Sequence, residues 1–136
     1  MKRVVVESPY KPEVDKDKEP ERWLEELRRN TMYARACYRY CLKKGGVAPF
    51  ASHLNYAQPG VLDDEDDTER WLGIEAGLEW ARAGGEESWF FVDLGMSSGM
   101  GYGEHDADKH GRPKKFIELG PNWEGDWLAD TKDRPI

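Results

Sequence analysis

The stretch "SWFFVDLGMSSGMGYGEHDADKHGRP", from Ser88 to Pro113, decides how this chain is expected to fold. It begins with an apolar, largely aromatic run, which is typical of a buried strand. A turn rich in glycine and serine follows, and then a polar helical segment. A strand that passes through such a turn into a helix indicates part of a βαβ succession in a parallel sheet.

Strands and helices alternate along the rest of the chain in the same way. The β-branched run "RVVVE" predicts a first strand, and the apolar stripe that follows it, ended by "KKGG", predicts a long helix. We therefore expect a mainly parallel sheet with helices on both faces. The predicted elements are strands at about 3–7, 46–52, 88–93 and 112–119, and helices at 20–44, at about 69–83 and after the serines at 97–98.

The length of 136 residues fits one domain. We assign residues 1–119 to it, with a mobile charged loop at 11–19. Residues 120–136 form an aromatic tail with little periodicity, expected to lie over the domain or over a neighbouring subunit.

The composition of the chain limits the classes of partner that it is expected to bind. A net charge of -7 opposes a broad surface for nucleic acid or for an anionic membrane, but leaves small ligands open. The chain has no apolar run long enough to span a bilayer and no signal peptide, so a cytoplasmic protein is expected. Cys37 and Cys41 are interpreted as buried free thiols, because nothing near them completes a metal site. Neither a GxGxxG nor a GK[ST] motif is present, and no cofactor or metal is predicted.

Ligands of parallel α/β sheets bind outside the carboxyl ends of the strands. Three loops fall there in this sequence: "SPY", "SHLNYAQPG" and "DLGMSSGMG". Ser97 and Ser98 stand where a helix begins, so they either bind an anion or sugar hydroxyls, or simply cap the helix. His53 is either a base or a structural residue. The candidate ligand-binding residues are Ser8, Pro9, Tyr10, Asn30, His53, Asp93, Ser97, Ser98, Gly99 and Met100.

Carboxylates near these loops are the candidates for catalysis. Asp93 closes the third strand, Glu104 follows the glycine turn, and Glu75 lies in the second helix between two glycines. The acidic run at 63–67 precedes that helix, where acids favour a helix N-terminus; we prefer this interpretation to the alternative, metal binding.

Several motifs in one order resemble a known family. "SPY", "RNTMYARACYRYCLKKGGVAPFASHLNYAQPGVLDD", "RWLGIEAGL" and "DLGMSSGMGYG" together resemble an uncharacterised small domain family of phages and their hosts, related to the nucleoside 2-deoxyribosyltransferases. The resemblance covers about Val4 to Leu119. It implies a flavodoxin-like, that is Rossmann-like, three-layer α/β sandwich with a four- or five-stranded sheet. It also implies a homo-oligomer and a pocket for a nucleoside or nucleotide.

The transferase relatives use a glutamate nucleophile at the start of the helix after the third strand, forming a glycosyl-enzyme intermediate. Here that helix start offers Ser97 to Met100, and the nearest carboxylate, Glu104, lies more than a turn further on. We therefore expect one of two functions: cleavage or transfer of an N-glycosidic bond through Glu104, Glu75 or Asp93, or nucleotide binding and sequestration without turnover. A third possibility is an oligomeric assembly protein with a vestigial pocket.

Overall fold

The computed structural model describes residues 1–131, with side chains through residue 128. Within that range the chain forms four strands and five helices, which include the four strands and the three helices predicted from the sequence. The strands are β1 (Lys2–Glu7), β2 (Val47–Phe50), β3 (Glu87–Phe91) and β4 (Lys114–Ile117). The helices are α1 (Pro20–Lys44), α2 (Ser52–Asn55), α3 (Asp67–Gly84), α4 (Ser98–Lys109) and α5 (Trp123–Thr131).

The four strands form one sheet in the order β2-β1-β3-β4, and every neighbouring pair is parallel. Val5 is aligned with Phe50 of β2 on one side and with Ser88 of β3 on the other. The chain thus moves outward from β1 to β2, and then crosses back to β3 and β4. The expected Rossmann-like three-layer α/β fold is confirmed, and its strand order reverses beside β1.

The hydrophobic core lies between one face of the sheet and α1. Alternate strand residues point to this face, because successive side chains of a strand lie on opposite sides. Helix α1 begins at a proline and ends before Gly45, whose φ of 81° suits glycine. The buried cluster contains Val4, Val6, Tyr33, Cys37, Cys41, Val47, Ala51, Trp89 and Phe91.

Both cysteines are free and buried in this core. Burial raises the pKa of Cys37 above its ordinary value and that of Cys41 to about 11. Such thiols stay protonated at neutral pH, and they contribute to packing as small apolar groups.

The aromatic tail adds to the same face. Residues 123–131 form α5, which contacts α1. The ring of Trp123 meets that of Tyr33 edge-on with centroids 5.0 Å apart, and Trp127 is buried. Of the two predicted positions for the tail, its described part thus lies over its own domain. Residues 132–136 lie outside the described residues.

The opposite face carries α3 and α4, to which Val5 and Glu7 of β1 point. Asp66 caps α3, because its Oδ1 accepts a hydrogen bond from Glu69 N at 3.0 Å. The capping role expected of the acidic run is therefore confirmed at that residue. Ser97 caps α4 in the same way, with Oγ 3.3 Å from Met100 N.

The charged loop at 11–19 folds against the start of α1. Asp15 Oδ1 accepts a hydrogen bond from Asp17 N at 2.8 Å, and Lys16 lies over the ring of Trp23 at 4.5 Å. The mobility of this loop stays a prediction. Among residues 1–131, no helix is both long and apolar enough to cross a membrane.

Candidate functional site

A cavity of about 360 Å³ opens at the carboxyl end of the sheet, between β1 and the helices α3 and α4. Its wall comes from the ends of β1 and β2, the loops that follow them, one side of α3 and the first turns of α4. It lies where the strand order reverses, which is where open parallel sheets bind their ligands. The side chains that line it include Glu7, Ser8, Tyr10, His53, Arg70 and Ser97.

Glu7, the last residue of β1, brings a carboxyl group into this cavity. The half-buried side chain reaches α4 at Gly103, where an added Cβ would lie 2.4 Å from Glu7 Oε1. Within residues 1–128 no hydrogen bond or ion pair to this carboxyl is present. Burial raises the pKa of Glu7 to about 8, Arg112 opposes the rise, and Asp106 adds to it. Glu7 therefore holds a proton at neutral pH.

Two arginines on this side of the sheet form ion pairs with Asp106 and not with Glu7. Arg112 Nη2 lies 3.0 Å from Asp106 Oδ2, and Arg82 Nη2 lies 2.9 Å from Asp106 Oδ1. Burial alone would raise the pKa of Asp106, but its bonds to Arg112 and Arg82 lower it below its ordinary value. Asp106 is thus ionised, and it pairs with Arg112, the cation that opposes the rise in the pKa of Glu7.

His53 and Tyr10 form an uncharged aromatic corner of the cavity. Their rings meet edge-on with centroids 5.0 Å apart, and His53 Nε2 lies 3.0 Å from Ser8 Oγ. Gln58 Nε2 donates to the Tyr10 hydroxyl and to the His53 carbonyl, both at 2.9 Å. Burial lowers the pKa of His53 to about 4, so its imidazole is neutral at neutral pH. This corner suits a neutral aromatic group with hydrogen-bonding atoms.

The N-terminus of α4 forms another part of the wall, through Ser97, Ser98 and Gly99. The guanidinium of Arg70 lies beside it: Nη2 is 3.6 Å from where a Cβ of Gly99 would be. Arg70 Nη1 also pairs with Asp64 Oδ2 at 3.2 Å. Unpaired N–H groups and the helix dipole favour an anion, and a guanidinium adds a charged donor.

Six predicted ligand-binding residues line the cavity: Ser8, Tyr10, His53, Ser97, Ser98 and Gly99. Pro9, Asn30 and Met100 do not line it. Asn30 Nδ2 donates to the carbonyl of Tyr10 at 2.9 Å and so holds the first loop from behind. Met100 is buried, and its sulfur lies 3.5 Å from Ser97 N.

Asp93 lies outside the cavity lining and binds the protein's own chain instead. It accepts hydrogen bonds from the hydroxyl of Tyr33 at 2.5 Å and from the backbone N–H groups of Leu119 and Gly120 at 2.9 and 3.0 Å. Burial alone would raise the pKa of Asp93, but these hydrogen bonds lower it below its ordinary value. Its position is that of a structural anchor for the segment after β4.

The other two carboxylates predicted for catalysis are also absent from the cavity lining. Glu75 is exposed on α3. Glu104 turns toward β4, where its Oε2 lies 3.1 Å from Lys114 Nζ. One helical step separates Glu104 from Gly103, and adjacent residues of a helix point about 100° apart.

Sequence reasoning missed Glu7 and Arg70. A signal for Glu7 was available, because it ends the run "VVVE" at the carboxyl end of a predicted central strand. Arg70 gave no such signal, since it stands among acids in the first turn of a helix whose orientation only the fold determines.

Comparison with protein-family models assigns most of this chain to one family. The family model described as Domain of unknown function (DUF7768) matches residues 2–117, from β1 to the end of β4. The chain belongs to this family. The DUF7768 match includes Glu7 and the other cavity residues, but its description names no activity and does not link the chain to nucleoside 2-deoxyribosyltransferases. No curated protein and no solved structure matches the DUF7768 chain.

Proposed function

We propose that this DUF7768 domain binds a nucleoside or nucleotide in the 360 Å³ cavity and cleaves its N-glycosidic bond with Glu7 as the acid. The observation that carries the proposal is the Glu7 carboxyl, which lines the cavity without a hydrogen-bond partner among the described residues. A protonated carboxyl near neutral pH is the group that an enzyme needs to donate a proton to a leaving atom.

The rest of the cavity supports a nucleotide as the ligand. The aromatic corner of Tyr10 and His53 offers contacts for a base. The N-terminus of α4 and Arg70 offer donors to a phosphate or to sugar hydroxyls. A volume of about 360 Å³ falls in the range of roughly 300–1,000 Å³ that small-molecule sites occupy.

The proposed reaction needs one carboxyl group and one water molecule. As the bond between the anomeric carbon and the base nitrogen breaks, its electron pair stays on nitrogen, which takes the proton of Glu7. Water adds to the anomeric carbon and gives a proton to the Glu7 carboxylate, which restores the acid. The products are the free base and the sugar or sugar phosphate. In the transfer variant, a second base takes the place of water.

The resemblance to the transferase relatives supports the same position by a different route. It implies a carboxylate on the helix after the third strand, and Glu7 brings one to the second turn of that helix from β1, in the space that Gly103 leaves open. We propose that Glu7 takes the role that sequence reasoning assigned to Glu104, Glu75 or Asp93.

Base release from a panel of nucleosides and nucleotides tests the proposal. We expect Glu7→Gln to reduce release by at least roughly 100-fold, the usual share of a general acid, while a thermal shift with the same ligand persists. Glu104→Gln is the matched control, because it removes a carboxylate that pairs with Lys114. Equal activity of Glu7→Gln and the unaltered protein would contradict the proposed role.

Two further outcomes distinguish the other functions. A ligand-induced thermal shift with no release by the unaltered protein would make the domain a nucleotide-binding or sequestering protein. No shift with any ligand would favour an assembly role, for which the exposed side chains of Leu72 and Trp80 on α3 offer a surface. Sedimentation analysis would test the predicted homo-oligomer directly.

A further inference from the structure

A second cavity, of about 450 Å³, adjoins the first. Its wall comes from the loop at 10–16, the first turns of α1 and the loop at 57–65. Tyr10, Lys11, Pro12, Leu62, Asp64 and Glu69 are among the residues that line both cavities. The two volumes are therefore neighbouring compartments on either side of Tyr10, and together they still fall within roughly 300–1,000 Å³.

The second compartment contains an aromatic platform. Trp23, in the first turns of α1, lines it, and the ring is fixed because its Nε1 donates to Glu65 Oε1 at 2.7 Å. The side chain that covers this ring is Lys16, on an exposed turn, at 4.5 Å from the ring centre. An exposed lysine is easily displaced by a planar ligand ring, because cation–π contacts at exposed sites are weak.

Hydrogen-bond acceptors surround this platform. Asp63 Oδ1 accepts from Glu65 N, and Glu69 Oε1 accepts from Asp63 N, both at 3.0 Å. The loop is held by these bonds, and each of the two carboxylates keeps a second oxygen. Carboxylate oxygens are suitable partners for ribose hydroxyls and for amino groups of a base.

The wall between the compartments carries both signs of charge. Lys11, Asp64 and Glu69 line both compartments, and Arg70, which lines the first one only, lies beside this wall with its Nη1 at 3.2 Å from Asp64 Oδ2. Burial raises the pKa of Asp64, whereas Arg70 and then Lys11 oppose the rise, so both cations lie close to that carboxyl. A phosphate bridge that crosses this wall would meet two cations, one of which, Lys11, has a long and adaptable side chain.

We propose that the two compartments together bind a dinucleotide-type substrate, in which two nucleosides are joined by a pyrophosphate. This inference rests on the proposed function, and it names the substrate class of the same site. One nucleoside lies in the first compartment, with its N-glycosidic bond near Glu7. The second stacks on Trp23, and the bridge passes Lys11 and Arg70. The sequence lacks the glycine fingerprint of Rossmann cofactor sites, and this binding mode does not use it.

Binding of NAD and of its two halves, AMP and nicotinamide mononucleotide, tests the inference. Calorimetry with the Glu7→Gln chain measures affinity without turnover. We expect NAD to bind at least about tenfold tighter than either half, because it fills both compartments. Trp23→Leu should weaken the binding of NAD and of the half that stacks on Trp23, and should change the affinity of the other half by less than about twofold. Trp23→Phe, which keeps a ring, should retain most of the preference.

Other results of these binding measurements would contradict one or both proposals. If the halves bind as tightly as NAD, or if Trp23→Leu weakens NAD and the halves equally, the two-compartment site is wrong. Base release from mononucleotides in that case would leave the proposed function intact. If the unaltered protein neither binds nor cleaves any of the three probes or the nucleoside panel, both proposals fail. Far-ultraviolet circular dichroism of each variant checks that the fold persists.

Discussion

Glu7 and Asp93 lie at the carboxyl ends of the two neighbouring central strands, β1 and β3, and their surroundings are opposite. Asp93 accepts three hydrogen bonds from its own chain, and they hold its pKa below the ordinary value. Glu7 has no such partner among the described residues, and burial raises its pKa to about 8. A carboxylate that is fully bonded stabilises a fold, whereas one left without partners in a cavity is available to a ligand.

The two faces of the sheet also differ, because one is fully packed and the other contains a cavity. The α1 face packs Tyr33, Trp89 and Phe91 into a continuous core. The α3 and α4 face has a cavity where Gly103 leaves space for a carboxyl group. The packed core and the cavity thus lie on opposite sides of one four-stranded sheet.

Removing the bonded carboxylate should have the largest effect on stability. Asp93→Ala leaves the Tyr33 hydroxyl and the N–H groups of Leu119 and Gly120 without their acceptor. We expect the free energy of unfolding to fall by about 3 kcal/mol, since bonds to a charged group contribute roughly 1.5–3 kcal/mol each. Urea denaturation measures it, with the exposed Glu75→Ala as control. A loss below about 0.5 kcal/mol would contradict the anchoring role.

Through Glu7, the free energy of unfolding should fall as pH rises, whereas the lowered pKa of Asp93 makes its contribution fall as pH decreases. The folded protein keeps the Glu7 proton up to about pH 8, whereas the unfolded chain releases it near the ordinary pKa of 4.5. Stability due to this group is therefore lost as pH rises from about 5 to about 8. Glu7→Gln should remove that loss, as urea denaturation at several pH values would show. An unchanged slope would mean that Glu7 is ionised at neutral pH.

Adding a methyl group at Gly103 should have the smallest effect on stability of the three substitutions. A Cβ there would lie 2.4 Å from Glu7 Oε1, so Gly103→Ala should displace the carboxyl and destabilise the fold by about 1–2 kcal/mol. Gly101→Ala is the matched control: its Cβ meets nothing within 4 Å, and alanine should stabilise α4 by up to ~1 kcal/mol. In a Glu7→Ala background, Gly103→Ala should also become stabilising. Additive effects of the two substitutions would show that the side chains do not meet.

Local sequence signals predicted most of the fold. Helix α1 has the predicted bounds, 20–44, because its stripe, N-terminal proline and terminal glycines all agree. Helix α5 was read as an aperiodic tail, since its two tryptophans gain their helical packing only from contact with α1. The short helix α2 was likewise missed inside a predicted loop.

The site was predictable in outline. Parallel strands bring their carboxyl ends together, so the three predicted loops lie near one another, and Ser8, His53 and Ser97 from them line one cavity. The carboxylates were harder to rank, because the environment of each depends on residues distant in sequence. Gly103 makes room for Glu7 across 96 positions, and Leu119 and Gly120 satisfy Asp93.

The most direct test of the account is the pKa of Glu7 itself. A carbon NMR titration of its side-chain carboxyl, assigned by comparison with Glu7→Gln, gives that value in the folded protein. We expect a midpoint near pH 8 for Glu7, and we expect the Asp93 carboxyl to ionise at a much lower pH. A Glu7 midpoint near the ordinary 4.5 would show an ionised carboxylate at neutral pH, and would rule out the proposed role of Glu7 as an acid.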